Sequence, residues 1–143
     1  MKDKHPAIDF KTVAADLSAK TSVAAFDELI EESLENLDIG IVCLNAGAWI
    51  EGPADLISDA NFERVINLNG LQKVYFTKAL LPKLLSRDRR SALMATSSIL
   101  ARTSIPGLAS YSATKAMTSN FMEALNYELR HKIDVTVWEP GPC

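Results

Sequence analysis

Residues 39–47 read Ile-Gly-Ile-Val-Cys-Leu-Asn-Ala-Gly, a continuous apolar run that stops at a turn. An apolar run without polar alternation is typical of a strand that is covered on both faces in a parallel sheet. One further strand is predicted before it, over Lys11–Ala15, and two are predicted after it, over Ala92–Thr96 and Asp134–Trp138. These strands predict an α/β fold that is built on a parallel sheet.

The segments between the predicted strands have helical periodicity. From Val23 to Leu37 apolar residues recur three and four positions apart, and Ser22 is the predicted N-cap of this helix. Longer helices are predicted over Ser58–Ser86 and Tyr111–His131. The first of these has apolar residues on more than one face, which indicates an additional buried contact. The alternation of strands and helices implies a layered fold with right-handed crossovers.

Composition and charge exclude several function classes. The chain has 143 residues, of which 48% are hydrophobic, and a formal net charge of −3, which does not favour nucleic acid as a partner. The basic cluster at residues 87–90 is interrupted by Asp88 and predicts a solvated loop. No apolar run approaches the roughly 18 residues of a membrane span, and no secretory signal peptide is visible.

The two cysteines, Cys43 and Cys143, provide neither a disulfide framework nor the spacing of a metal site. A reducing, intracellular setting is therefore expected.

Ser98, Tyr111 and Lys115 stand 13 and four residues apart. If a helix begins near Tyr111, the phenol and the ammonium are i,i+4 neighbours on one helix face. A phenol, with a reference pKa of about 10, is a poor base at neutral pH, but an adjacent buried ammonium favours its phenolate form. The three side chains together predict a proton-transfer site. By itself, the tyrosine–lysine pair also fits an amphipathic helix whose tyrosine packs and whose lysine is solvated.

Turns and polar residues follow each predicted strand. Asp16-Leu17 follow the first, Asn45-Ala46-Gly47 the second, Ser98 the third and Pro140-Gly141 the fourth. In open α/β sheets the ligand lies outside the carboxyl ends of the strands, so we expect these residues to border one site. Taken alone, Asn45-Ala46-Gly47 also fit an ordinary turn and Asp16 a helix or turn cap.

This set of motifs resembles the short-chain dehydrogenase/reductases, in the right order from about residue 10 to Cys143. The resemblance implies a partial Rossmann-type, doubly wound parallel sheet with helices on both faces, which forms one partial domain over residues 1–143. The family's first βαβ unit is lacking, because the six scattered glycines match no Thr-Gly-x-x-x-Gly-x-Gly turn for a pyrophosphate. In the family's sheet order, the missing strands would lie between Lys11–Ala15 and Ile39–Leu44.

The resemblance implies reversible hydride transfer between a nicotinamide cofactor and a carbonyl or alcohol. Tyr111 would be the general acid for reduction. Ser98 would bind the substrate by holding its carbonyl oxygen. Lys115 would favour the phenolate and bind the nicotinamide ribose. The cofactor would be NADP or NAD, with NADPH slightly favoured.

An asparagine completes the site that the resemblance implies. Counted back from Thr77 and Pro82, Asn69 matches the family asparagine that kinks its helix and links Lys115 through water to solvent. Asn67 is the rival two residues away, and one of the two is expected to face inward with a hydrogen-bond partner. The implied cofactor-binding positions are Asp16, Leu17, Asn45, Ala46, Gly47, Tyr111, Lys115, Pro140 and Gly141.

Residues 11–18 and 37–42 resemble the branch that contains very-long-chain 3-oxoacyl-CoA reductases and 17β-hydroxysteroid dehydrogenases. This resemblance implies a small-molecule carbonyl substrate of the 3-oxoacyl or ketosteroid type. It also implies a cytoplasmic location or an association with the endoplasmic reticulum through an upstream segment. The helices predicted over residues 58–86 and 111–131 resemble a pair that packs across a C₂ interface, which implies a homodimer or homotetramer.

Two functions stay open. The first is an NAD(P)(H)-dependent reductase, of which residues 1–143 form part. The second is a truncated, cofactor-free pseudoenzyme or an assembly partner. The missing glycine turn and the unpaired apolar edge of the strand at 39–44 predict that the isolated chain is inactive and prone to aggregate.

Overall fold

A computed structural model describes residues 5–141 and contains a three-stranded parallel sheet. In order across the sheet, the strands are β1 (Ile41–Leu44), β2 (Ser91–Thr96) and β3 (Ile133–Trp138). Their register places Val42 beside Leu93 and Leu93 beside Val135. Because all three strands are parallel, their carboxyl ends meet at one edge of the sheet. Cys143 lies outside the described residues.

Four α-helices flank the strands in the part of the chain that the structure describes. They are α1 (Val23–Leu34), α2 (Asp59–Ile66), α3 (Gln72–Ser86) and α4 (Ala109–Leu129). A π-helical turn, Asn67–Leu71, joins α2 to α3, so the helix predicted over Ser58–Ser86 is continuous but widened in the middle. The predicted cap of α1 is confirmed, since the Ser22 hydroxyl accepts a hydrogen bond from the Ala25 amide at 3.2 Å.

One face of the sheet packs against the helices. Alternate strand residues, among them Val42, Leu93 and Val135, point into a core that α1, α3 and α4 complete. Phe26 of α1 stacks on Phe76 of α3, with ring centroids 5.1 Å apart. Burial of a side chain such as Leu93 contributes about 2 kcal/mol of transfer free energy, so this face holds the sheet and the helices together.

The opposite face of the sheet is open over residues 5–141, so the implied helices on both faces are found on one face only in the described chain. Ile41 is 72% exposed and Trp138 57% exposed, and Met94 between them is also exposed. The strand predicted over residues 39–44 is therefore covered on one face only, because the described helices pack against the face that carries Val42.

The strand predicted over Lys11–Ala15 is wrong. Residues 11–15 are exposed and have no strand pairing, and β1 has no neighbour on its outer edge within the described chain. A strand needs the hydrogen bonds of a partner, and residues 11–15 make none with the open outer edge of β1. The segment lies beside α1, where Lys11 donates a hydrogen bond to the Ser33 carbonyl and Leu17 lines a groove with Phe76.

The parallel sheet and its helices confirm the predicted α/β class, and the other predicted elements begin and end within a few residues of the observed ones. Among residues 5–141, no helix has the length and the apolar composition that a membrane crossing requires.

Candidate active site

Ser98, Tyr111 and Lys115 line one cavity of about 560 Å³ at the carboxyl ends of the strands. The structure thus brings together the three side chains whose spacing indicates a proton-transfer site. Most of the remaining wall is apolar, and it includes the segment after β3. The other lining residues are Trp49, Thr96, Ser97, Ile99, Leu100, Thr103, Ile105, Leu108, Pro140 and Gly141.

The Ser98 hydroxyl is held in place by the turn that follows β2. Ser98 caps a 3₁₀ turn, Ile99–Ala101, and its Oγ accepts a hydrogen bond from the Leu100 amide at 3.2 Å. The Ile99 amide donates to the Pro140 carbonyl at 3.0 Å, which ties this turn to the segment after β3. No described residue accepts the Ser98 hydroxyl proton, so the group is oriented and still able to donate.

Tyr111 and Lys115 lie in the first two turns of α4. The loop before this helix turns at Gly107, whose φ of 82° is in the left-handed region that favours glycine. Lys115 Nζ lies 5.2 Å from the centroid of the Tyr111 ring and donates to the Thr96 carbonyl at 3.3 Å. Burial lowers the pKa of Lys115 from its ordinary value. The ammonium therefore sits beside the phenol, as the i,i+4 spacing predicts.

Asn69 is fully buried in the π-helical turn, whereas Asn67 is half-buried. The Asn69 Oδ1 accepts from the Ala48 amide at 2.7 Å, and its Nδ2 donates to the Ala48 carbonyl at 2.8 Å. Asn69 thus contacts the loop after β1 from within the π turn, and such turns frequently occur at functional sites. The water link between Asn69 and Lys115 stays a prediction.

In the turn at residues 45–47, Gly47 lies between Asn69 and Lys115. A Cβ atom on Gly47 would be 3.2 Å from Asn69 Oδ1 and 3.8 Å from Lys115 Nζ, so a larger residue here would force Asn69 to shift. The Thr96 hydroxyl donates to Asn45 Oδ1 at 2.7 Å and thereby ties the end of β2 to the end of β1. The turn is therefore part of the site's framework.

A polar network under the cavity joins α4 to the ends of β2 and β3. The Ser119 hydroxyl donates to Glu139 Oε1 at 2.6 Å and lies 2.8 Å from the Ser97 hydroxyl. The Ser97 hydroxyl donates to the Lys115 carbonyl at 2.8 Å. Hydrogen bonds, first from Ser119 and then from Arg102, hold the pKa of Glu139 below its ordinary value. The network fixes Ser97 and Glu139, and it thereby positions the residues that follow them in the chain, Ser98 and Pro140.

Asp16 and Leu17 lie apart from the cavity lining. Asp16 is exposed, and its Oδ1 accepts hydrogen bonds from the amide and the hydroxyl of Ser18 at 2.9 and 2.6 Å. These bonds lower the pKa of Asp16 and close a local turn. The predicted contact of Asp16 and Leu17 with a cofactor stays a prediction.

Sequence reasoning missed two residues of this region, Trp49 and Lys73. The Trp49 ring lies 4.7 Å from the Tyr111 ring, centroid to centroid. Lys73 is fully buried, and its Nζ donates to the Ala46 carbonyl at 2.7 Å. Burial, and then repulsion from Lys115, lower the pKa of Lys73 to about 8. Two features of the sequence could have indicated them. An aromatic residue stands two positions after the turn at residues 45–47, and a lysine stands in an otherwise apolar stretch of helix.

Comparison with known proteins shows the family to which this chain is related. The chain matches the family model for short chain dehydrogenases over residues 2–143. It is 36% identical over 142 residues to the uncharacterized oxidoreductase YbbO of Escherichia coli (strain K12), covering 98% of this chain and 52% of that protein. It is 31% identical over 129 residues to the very-long-chain 3-oxoacyl-CoA reductase of Bos taurus, covering 87% of this chain and 40% of that protein. The chain thus spans about half or less of the length of these relatives.

Solved structures show the same fold. The 3-ketoacyl-(acyl-carrier-protein) reductase from Brucella melitensis, complexed with NADH, is 28% identical and has a TM-score of 0.77 over 90% of this chain and 55% of that chain. The closed form of serine dehydrogenase complexed with NADP⁺ is 31% identical, with a TM-score of 0.74 over 85% of this chain and 50% of that chain. These likenesses confirm the predicted partial Rossmann-type fold.

Proposed function

The chain belongs to the short-chain dehydrogenase family, and we propose that the whole protein transfers hydride between a nicotinamide dinucleotide and a carbonyl group. The observation that carries this proposal is the gathering of Ser98, Tyr111 and Lys115 on one cavity. The neighbours that were solved with NADH and NADP⁺ support a nicotinamide cofactor.

The residues of the cavity fit the nicotinamide end of such a cofactor. Lys115 uses one of its three N–H groups on the Thr96 carbonyl, which leaves donors for the ribose hydroxyls. Pro140 and Gly141 border the same space. The described residues contain no glycine-rich turn for the pyrophosphate, so this part of the chain suits one end of the dinucleotide. When bound, NADPH or NADH supplies the hydride.

Three side chains handle the proton and the developing charge. Tyr111 donates a proton to the carbonyl oxygen during reduction and accepts it back during oxidation. Ser98 donates its free hydroxyl proton to the same oxygen; one such donor typically contributes about a hundredfold or more in rate. Lys115 holds its ammonium 5.2 Å from the centroid of the Tyr111 ring, where it attracts the negative charge that remains on the phenol oxygen after proton transfer.

The apolar wall supports a substrate with an apolar chain or ring next to the reacting carbonyl. Trp49, Ile105 and Leu108 form this wall beside Tyr111. We assign the substrate to the 3-oxoacyl or ketosteroid type, in line with the name of the bovine relative, and favour NADPH over NADH as its reductant. The alternative of a cofactor-free assembly partner has no contact in the described chain that favours it.

Exchange of Tyr111 for Phe tests the proposal. In the whole protein, Tyr111→Phe should abolish most NADPH-dependent reduction of a 3-oxoacyl thioester or a ketosteroid while NADPH binding is largely retained, because only the proton donor is lost. Tyr127→Phe is the matched control, since Tyr127 is exposed on the same helix. Near-normal turnover by Tyr111→Phe would refute the role of Tyr111, and a whole protein that binds no NAD(P)H would favour the assembly partner.

A further inference from the structure

Lys73 is fully buried, and the packing of the core does not by itself require a lysine at this position. Its side chain is 0% exposed, while Lys78 on the same helix is exposed. The Lys73 ammonium donates to two carbonyls, those of Ala46 at 2.7 Å and Asn69 at 3.1 Å. Within residues 5–141 it has no ion pair, and an ammonium buried without a counter-charge is costly. A methionine would fill the same space without this cost.

Lys73 and Asn69 are one helical turn apart and hold the same loop. Asn69 binds both backbone groups of Ala48, and Lys73 binds the carbonyl of Ala46, so the loop is fixed at two points, one in the π turn and one in α3. Between these points Gly47 lies against Asn69 and Lys115. The residue directly after the loop, Trp49, lies against Tyr111.

We propose that Lys73 is a positioning residue for the hydride-transfer site, which holds Ala46 so that Gly47 lies beside Lys115 and Trp49 beside Tyr111. This inference rests on the proposed function. Lys73 touches neither Tyr111 nor the apolar wall of the cavity and acts through the loop.

The Lys73 ammonium also acts on the site through its charge. From α4, Lys115 is the titratable group that faces it, and the loop presents backbone carbonyls only. In the described chain no carboxylate influences Lys73. Repulsion between the two buried cations adds to burial in lowering the pKa of Lys73 to about 8. The charge of Lys73 therefore acts on the site through Lys115.

The test compares Lys73→Met and Lys73→Gln with Lys78→Met in the whole protein. Lys73→Met should raise amide hydrogen exchange at residues 46–48 without cofactor and lower kcat by about tenfold or more, because the loop loses its tie. Lys73→Gln keeps a hydrogen-bond donor at this position, so it should restore exchange protection and part of kcat. Lys78→Met should match the unsubstituted protein.

The outcomes separate this inference from the proposed function. If Lys73→Met retains the hydrogen exchange and the kcat of the unsubstituted protein, the inference is overturned while the reductase assignment stands. If the unsubstituted protein reduces no carbonyl, the assignment fails, and hydrogen exchange at residues 46–48 still decides whether Lys73 positions the loop. Should the variants not fold, the ¹³C NMR signal of the Lys73 Cε in the unsubstituted protein decides. Its titration should shift when NADP⁺ binds, and a titration insensitive to NADP⁺ would overturn the inference.

Discussion

The indole of Trp49 lies against the phenol of Tyr111, with ring centroids 4.7 Å apart and planes tilted by 55°. Trp49 is 58% exposed, and both residues line the cavity. Tilted aromatic pairs at this distance attract each other beyond the effect of buried area. The loop after β1 therefore reaches the proposed proton donor and provides an aromatic wall for the substrate.

Trp49→Ala should weaken the binding of apolar substrates more than it slows their reduction. Loss of the indole removes apolar contact area worth about 1–2 kcal/mol, so we expect the KM for a ketosteroid or 3-oxoacyl thioester to rise about tenfold with a smaller change in kcat. Steady-state kinetics would measure both. Trp138→Ala is the control, because Trp138 is similarly exposed but belongs to the open face of the sheet. An unchanged KM for Trp49→Ala would contradict the assigned wall.

Asn69→Ala should destabilise the fold, and Asn67→Ala should not. Asn69 makes two hydrogen bonds to Ala48 from a fully buried position, and their loss leaves both backbone groups without a partner. We expect the free energy of unfolding to fall by about 2 kcal/mol in urea titrations. Asn67 is half-buried in the same π turn, which makes it a matched control. Equal effects of the two substitutions would show that the paired contact contributes little.

Stability should depend on pH through Lys73. The pKa of this lysine is about 8 in the folded state against its ordinary value of 10.5. Below about pH 8, Lys73 is charged in both the folded and the unfolded protein, and the folded protein bears the full cost of burying the ammonium. Between about pH 8 and pH 10.5, the folded protein has lost the Lys73 proton that the unfolded protein keeps. The free energy of unfolding therefore rises with pH in this range, by up to about 3 kcal/mol from Lys73.

Lys73→Met should reduce this rise, while Lys78→Met should leave it unchanged. Urea titrations at about pH 7 and about pH 10 would measure the difference. If the free energy of unfolding rises as much in Lys73→Met as in the unsubstituted protein, other titratable groups cause the rise.

The whole protein should form a dimer or tetramer through α2, α3 and α4. Phe62 and Met117 on these helices are each 37% exposed, and apolar side chains at this exposure suit a C₂ interface. Light scattering at micromolar concentration should report the oligomer. Phe62→Glu should shift it towards monomer, whereas Phe10→Glu, at an exposed site outside these helices, should not. A strictly monomeric unsubstituted protein would refute the interface.

A polypeptide of residues 1–143 alone should show no saturable binding of NADPH, and it should aggregate. Ile41 is 72% exposed, and within the described chain the outer edge of β1 has no strand neighbour. An open apolar edge of this kind invites association between chains. Fluorescence titration with NADPH, run beside the whole protein, would measure binding. Saturable binding at low micromolar concentration with a cooperative unfolding transition would contradict the expectation.

Much of the site could be predicted from the sequence because its signals are local. The i,i+4 spacing of Tyr111 and Lys115 places them on one helix face wherever that helix packs. Ser98 and Pro140 follow apolar runs, and parallel strands bring their carboxyl ends to one edge whatever the loops do. The cap at Ser22 depends only on the residues that follow it. Fold class and the gathering of the proposed catalytic residues are thus properties of the sequence.

Tertiary structure alone decided the rest. Residues 11–15 have the composition of a strand, but a strand forms only where another strand presents its hydrogen-bonding edge, and that edge is a non-local matter. Trp49 and Lys73 carry no spacing signal, because they meet Tyr111 and Ala46 across separate elements. The π turn at Asn67–Leu71, which carries Asn69, also departs from regular helix periodicity. Such contacts arise from packing between distant segments, which residue periodicity does not encode.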